Sequence, residues 1–122
     1  MDKTYVILHI HSDMVVFEPP CPRVEAKVEQ FQALVNWQET EGKWKKVTVK
    51  NFADGAGNAV NVSPLSHEWI YPNDDSRYFL FPWTDISYFC KYDVILEDDS
   101  GNTFSIDPVV LIKKPGAAFE IA

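Results

Sequence analysis

The chain has 122 residues, 46% hydrophobic and 24% charged, with 18 acidic against 11 basic side chains and a formal net charge of −7. That length is one domain's worth, enough to bury roughly two-thirds of the unfolded surface without disulfide or metal staples. The charge balance argues against nucleic acid and anionic membranes, which are held by Lys and Arg; the sole basic cluster is Lys43, Lys45 and Lys46 around Trp44.

No segment carries the run of about 20 apolar residues that spans a bilayer. The opening "MDKTYVILHIHSD" is too short in its apolar part for a secretory signal, so the chain reads as cytoplasmic. Cys21 and Cys90 are then expected as free thiols. Turn signals recur at short intervals ("EPPCP", "EGK", "ADGAGN", "SPLS", "YPNDD", "DDSGN", "KKPG") with β-branched and aromatic runs between them. That pattern predicts one all-β domain over residues 1–122, an antiparallel β-sandwich of about 7–9 strands, immunoglobulin-like in architecture. The alternative is an α+β domain with one helix near 23–40.

The first strand ends in "LHIHSD", residues 8–13. Continued alternation would put His9, His11 and Asp13 on one face, a sensible start for a zinc site. The string resembles the His-x-His openings of the amidohydrolase and of the polymerase-and-histidinol-phosphatase-type hydrolases. It also resembles the His-x-His-x-Asp-His signature of metallo-β-lactamases. The resemblance covers six residues and implies a metal-dependent hydrolase. It departs at Met14, where a histidine should follow the aspartate, and the remaining histidine, His67, lies in a predicted loop. The expectation is therefore a polar strand face, with no metal and no cofactor.

Residues 24–40 admit two readings. Val24, Val28, Phe31 and Val35 form a helical stripe, with Pro22 suited to a helix start. As strand, the apolar set alternates on even positions (Val24, Ala26, Val28) and then on odd ones (Phe31, Ala33, Val35, Trp37), which demands a β-bulge near Glu29–Gln30. The strand reading is preferred. It predicts a hairpin that turns at Gly42 and returns through Trp44, Val47 and Val49.

Cys21, Trp37 and the run Tyr88-Phe89-Cys90 resemble the Cys…Trp…Tyr-x-Cys spacing of variable-type immunoglobulin domains. The resemblance implies a sandwich with Cys21 bridged to Cys90. The departure is Cys21 itself, set among Pro19, Pro20 and Pro22, where no central strand can run. What carries over is architecture.

Further along, "DGAGN" (54–58) has glycines but no Lys-Ser/Thr, and reads as a turn rather than a phosphate loop. The acidic turns "PNDDS" and "EDDSGN" offer the hard oxygens that calcium prefers, without the spacing of a calcium loop. No Gly-x-Ser-x-Gly elbow occurs, and no His or Met follows Cys90 to complete a copper site. The C-terminal hairpin runs from "SYFCKYDVILED" through "DSGN" to "TFSIDPVVLIKK". Pro108 marks its last strand as an edge, or as bulged.

The aromatic stretch "HEWIYPNDDSRYFLFPW" (67–83) carries the predicted binding surface: Trp69, Tyr71, Tyr78 and Trp83. Trp and Tyr combine a rigid apolar face with a polar tip. Phe79, Phe81 and Trp83 alternate as one face of a strand, so among the tryptophans Trp37 is expected in the core first, Trp83 next and Trp69 last. The function expected is a non-catalytic interaction domain that binds a protein partner through an aromatic loop face or an edge strand. The alternative is a carbohydrate-binding module or lectin, with calcium as a possible aid.

Overall fold

The computed structural model describes residues 2–38 and 43–116. They form ten strands: β1 Asp2–Ile10, β2 Val15–Glu18, β3 Arg23–Glu25, β4 Glu29–Trp37, β5 Trp44–Ala53, β6 His67–Ile70, β7 Arg77–Phe79, β8 Tyr88–Asp98, β9 Thr103–Ile106 and β10 Val109–Lys113. There is no helix among the described residues, so none is long and apolar enough to cross a membrane. The all-β expectation holds and the helix alternative near 23–40 does not.

The strands make two sheets. The first has the order β2-β1-β4-β7; the second has the order β3-β10-β8-β5-β6, with β9 also paired to β8. Strict antiparallel pairing was the wrong expectation. β1 runs parallel to β4 in register from Asp2↔Glu29 to Ile10↔Trp37, and β3 runs parallel to β10. The reason lies in the route of the chain. After the β1–β2 hairpin it crosses to the second sheet for β3, and it returns on the far side of β1 as β4.

That crossing also explains the parity change. Val24 and Ala26 are buried in the second sheet's part of the core, and Phe31, Ala33 and Val35 in the first sheet's part. Between them the chain turns at residues 26–28, with Lys27 at φ 66. The expected bulge at Glu29–Gln30 is thus a turn between sheets. For the same reason β4 and β5 are not a hairpin, since they belong to different sheets; the Gly42 turn lies outside the described residues.

A bulge does occur, in β5. The pairing with β8 shifts register between Lys50 and Ala53. Asn51 adopts φ 60 there and donates from Nδ2 to Asp93 Oδ2 at 2.8 Å. Asn tolerates this conformation better than most residues. The extra residue moves inward alternation from Val47 and Val49 to Phe52, which a regular strand would point outward.

The C-terminal return strand is interrupted where Pro108 stands, between β9 and β10. It is not bulged: the pairs Ile106↔Val94 and Val109↔Lys91 belong to one uninterrupted register. Tyr92 N–H donates to the Pro108 carbonyl at 3.1 Å, but proline has no N–H to return.

One hydrophobic cluster draws on both sheets, including Leu8, Phe31 and Val35 from the first and Val47, Leu96 and Ile112 from the second. Aromatic rings join them. Tyr92 lies 6.0 Å from Phe31 and 5.4 Å from Phe52 between ring centroids. Each fully buried side chain of this size is worth roughly 1.5–3 kcal/mol in transfer from water.

Candidate binding cleft

The β5 bulge delivers the chain into a tight loop, Asp54-Gly-Ala-Gly-Asn58. Asp54 Oδ1 accepts from Ala56 N–H at 3.0 Å and Asn58 N–H at 2.9 Å. The Asn58 amide of the loop holds the carboxyl below its ordinary range, the backbone N–H of Asn58 contributing most. The β8–β9 turn repeats the device residue for residue. Asp98 Oδ1 accepts from Ser100 and Asn102 N–H, both at 2.9 Å, and Asn102 Nδ2 donates to Asp98 Oδ2 at 3.1 Å. Gly57 and Gly101 take the same left-handed φ, 85 and 83. Both turns read Asp-x-x-Gly-Asn. At Asp98, in one of the two acidic turns that lack calcium-loop spacing, both oxygens already accept N–H donors.

Beyond Asn58 the chain runs back against the sheet. Val60 N–H donates to Phe52 O at 2.8 Å, and Ser63 and Leu80 exchange a pair of bonds at 3.0 and 2.9 Å. These fix one wall of a cleft of about 520 Å³. The facing wall is the segment after β7: Pro82, Trp83, Thr84, Asp85 and Ile86, with Tyr88 at the start of β8. Thr84 Oγ1 donates to Ile86 O at 2.7 Å and accepts from Ile86 N–H at 3.3 Å, which shapes this wall. Trp83 is 62% and Ile86 64% exposed. Tyr88 is half-buried, and burial, with the Cys90 and Asp54 charges adding, pushes its hydroxyl up to about 12.

The four residues expected to form one binding surface have different surroundings. Trp69 is buried, paired across the ladder with Val47. Its indole N–H donates to the Asp75 carbonyl, and its ring meets His67 edge-on at 4.6 Å. Tyr71 packs edge-on against Trp37 at 5.4 Å under the Lys45 ammonium, 5.1 Å from its ring centroid. Tyr78 stands on the outer face of the first sheet, its hydroxyl accepting from Gln32 Nε2 at 3.2 Å. Trp83 alone lines the cleft.

The expected order of burial is therefore reversed for Trp69 and Trp83. Sequence alternation extended one strand from Phe79 to Trp83, but β7 ends at Phe79 and Pro82 cannot continue a ladder. Three of the four indoles anchor backbone carbonyls: Trp37 to Asn73 at 2.8 Å, Trp44 to Ser12 at 2.9 Å, and Trp69 to Asp75. Trp83 donates to no described residue. Ile86, Val60 and Asp85 were not singled out from the sequence; the signal available was Pro82, which ends the strand and leaves "WTDI" as an apolar-edged loop.

The histidine–aspartate string is taken apart by the end of β1. Only His9 is on the strand. Its Nε2 is 2.8 Å from Glu18 Oε1 and its Nδ1 is 3.1 Å from Asn36 Nδ2, so both ring nitrogens are engaged. His11 and Asp13 lie in the following turn. Among the described residues no three His, Cys, Asp or Glu side chains come together as metal ligands would. Cys21 is exposed, Cys90 is buried, and the two are not bridged.

No protein-family model matches the chain, and no curated protein or solved structure matches it.

Proposed function

We propose that this chain is a non-catalytic interaction domain that binds a protein partner at the Trp83 cleft. The observation that carries the reading is an exposed pair, Trp83 and Ile86, on the rim of a cleft with one wall fixed by backbone bonds and the other by the Thr84 hydroxyl. A large aromatic beside a pocket is the commonest anchor of protein interfaces. The non-catalytic half of the proposal rests on chemistry: no His, Cys, Ser or Lys lines the cleft, and the N–H donors on Asp54 lower its pKa, the opposite of what a general acid needs. The shared core supports a further proposal, that the two sheets form a sandwich of immunoglobulin-like architecture.

A second reading is carbohydrate binding. It is favoured by the flat Trp83 ring lying near Asn61, Thr84 and Asp85, which could pair stacking with hydroxyl bonds.

The test compares Trp83→Ala with Tyr78→Ala. Trp83→Ala should leave the melting temperature within a few degrees and weaken partner binding about 30-fold, the loss typical of a hot spot. Tyr78→Ala should leave binding near wild type. Equal binding by wild type and Trp83→Ala, both to captured proteins and on a glycan array, would overturn the site.

A further inference from the structure

We infer that the Trp83 cleft receives a basic side chain, lysine or arginine, from the partner protein. The inference rests on the proposed role of Trp83 as the binding anchor and adds the chemistry of what it binds.

The first argument is how this chain treats three of its other aromatics. Lys43 stands 4.8 Å from the Trp44 ring centroid, Lys45 5.1 Å from Tyr71 and Lys3 5.4 Å from Tyr78. Each of these rings has its own ammonium. Trp83 is the most exposed tryptophan and has the strongest π face for a cation, yet no cation of the described residues lies over it.

The second argument is charge. Asp54 and Asp85 line the cleft, and neither Lys nor Arg does. Among the described residues Asp85 has no ion-pair partner. The nearby bases stand elsewhere. Lys27 N–H bonds Phe81 O, Lys114 N–H bonds Ser87 Oγ, and Lys50 lines the groove beyond Ala59 and Val60; none of the three lines the cleft. A chain of net charge −7 also steers cationic partners toward itself. A side chain with an apolar stem and a charged head suits this site: the stem can lie along Val60 and Ile86 while the head meets Trp83 and Asp85.

The experiment is an NMR titration of the ¹⁵N-labelled protein with end-blocked (Gly-Arg)₃ and (Gly-Lys)₃, against (Gly-Gln)₃ and (Gly-Glu)₃. The basic peptides should shift the Trp83 indole and the amides of residues 84–86. Asp85→Asn, an exposed change that leaves the fold intact, should weaken that binding about threefold or more. Salt near 0.5 M should weaken it further, through screening. Two results overturn the inference: an equal response to (Gly-Gln)₃, or basic-peptide shifts confined to the acidic turns at Asp74–Asp75 and Asp98–Asp99. If glycans or neutral peptides move the Trp83 indole while basic ones do not, the cleft remains a binding site and only its cationic preference falls. If no probe and no captured partner depends on Trp83, both readings fall.

Discussion

His67 shows how one side chain couples this fold to pH. Its ring meets Trp69 edge-on at 4.6 Å. Its pKa lies below the ordinary 6.5, first because burial disfavours the imidazolium and then because Arg77 is near; Glu68 opposes both. The unfolded chain therefore takes up the proton first as pH falls. The stability His67 contributes is complete above about 6.5 and is lost as pH drops below that value through the lower folded pKa. Urea unfolding at pH 7.5 and 5.5 should show the loss, and His67→Phe, which keeps an aromatic edge on Trp69, should shrink it. An unchanged difference in the variant would assign the pH dependence to other groups. At this scale the sequence was partly legible. The density of aromatics in residues 67–83 was readable. Which of them would be buried was not, because alternation was carried through Pro82 and so placed Trp83 on the wrong side.

The loop between β6 and β7 is held by the two indoles that sequence reasoning had ranked first and last for the core. Trp37 donates to Asn73 O at 2.8 Å and Trp69 to Asp75 O, while Asn73 Oδ1 accepts from Asp75 N–H at 2.8 Å. Trp69→Phe keeps most of the buried ring and removes one donor; it should cost about 1–2 kcal/mol in urea unfolding and speed amide exchange in residues 73–76. Trp69→Ala also opens a cavity and should cost about 3–5 kcal/mol. If Trp69→Phe matches wild type in both measurements, the indole bond contributes nothing and burial alone keeps Trp69 in place. Elements with strong local signals were legible: the β8–β9 turn from Asp-Ser-Gly-Asn, and an irregularity at Pro108 from a missing N–H. Its form was not legible, since a lost donor can be met by a bulge, by an edge position, or by a break in pairing that keeps the register, as it does here. The Glu29–Gln30 bulge failed differently. A parity change marks that a chain redirects, and only tertiary structure decides between a kink within a sheet and a step to another.

At the scale of the molecule, pairing was the least legible level. The parallel partnership of β1 and β4 is long, nine residue pairs, but no local pattern encodes it; it follows from β3 joining the other sheet. What the two sheets share is the core, and Cys90 reports on its integrity. Cys90 is 0% exposed and belongs to that cluster. Burial is the main cause that pushes its thiol up to about 12, so the reactive thiolate is scarce near neutral pH. Cys21 is exposed on the chain between β2 and β3. In the native protein a thiol reagent should therefore label Cys21 promptly. Cys90 should react only through opening of the core, roughly a thousandfold or more slowly for a domain of ordinary stability. In denaturant both should label together. The rate for Cys90 should also rise in Trp69→Ala, because a cavity weakens the shared core, whereas Trp83→Ala should leave it unchanged. Comparable native rates for the two cysteines would mean that the second sheet opens locally without the first. Failure of both to label in denaturant before reduction would mean a Cys21–Cys90 bridge, and the second sheet would then be held by a covalent tie in place of packing.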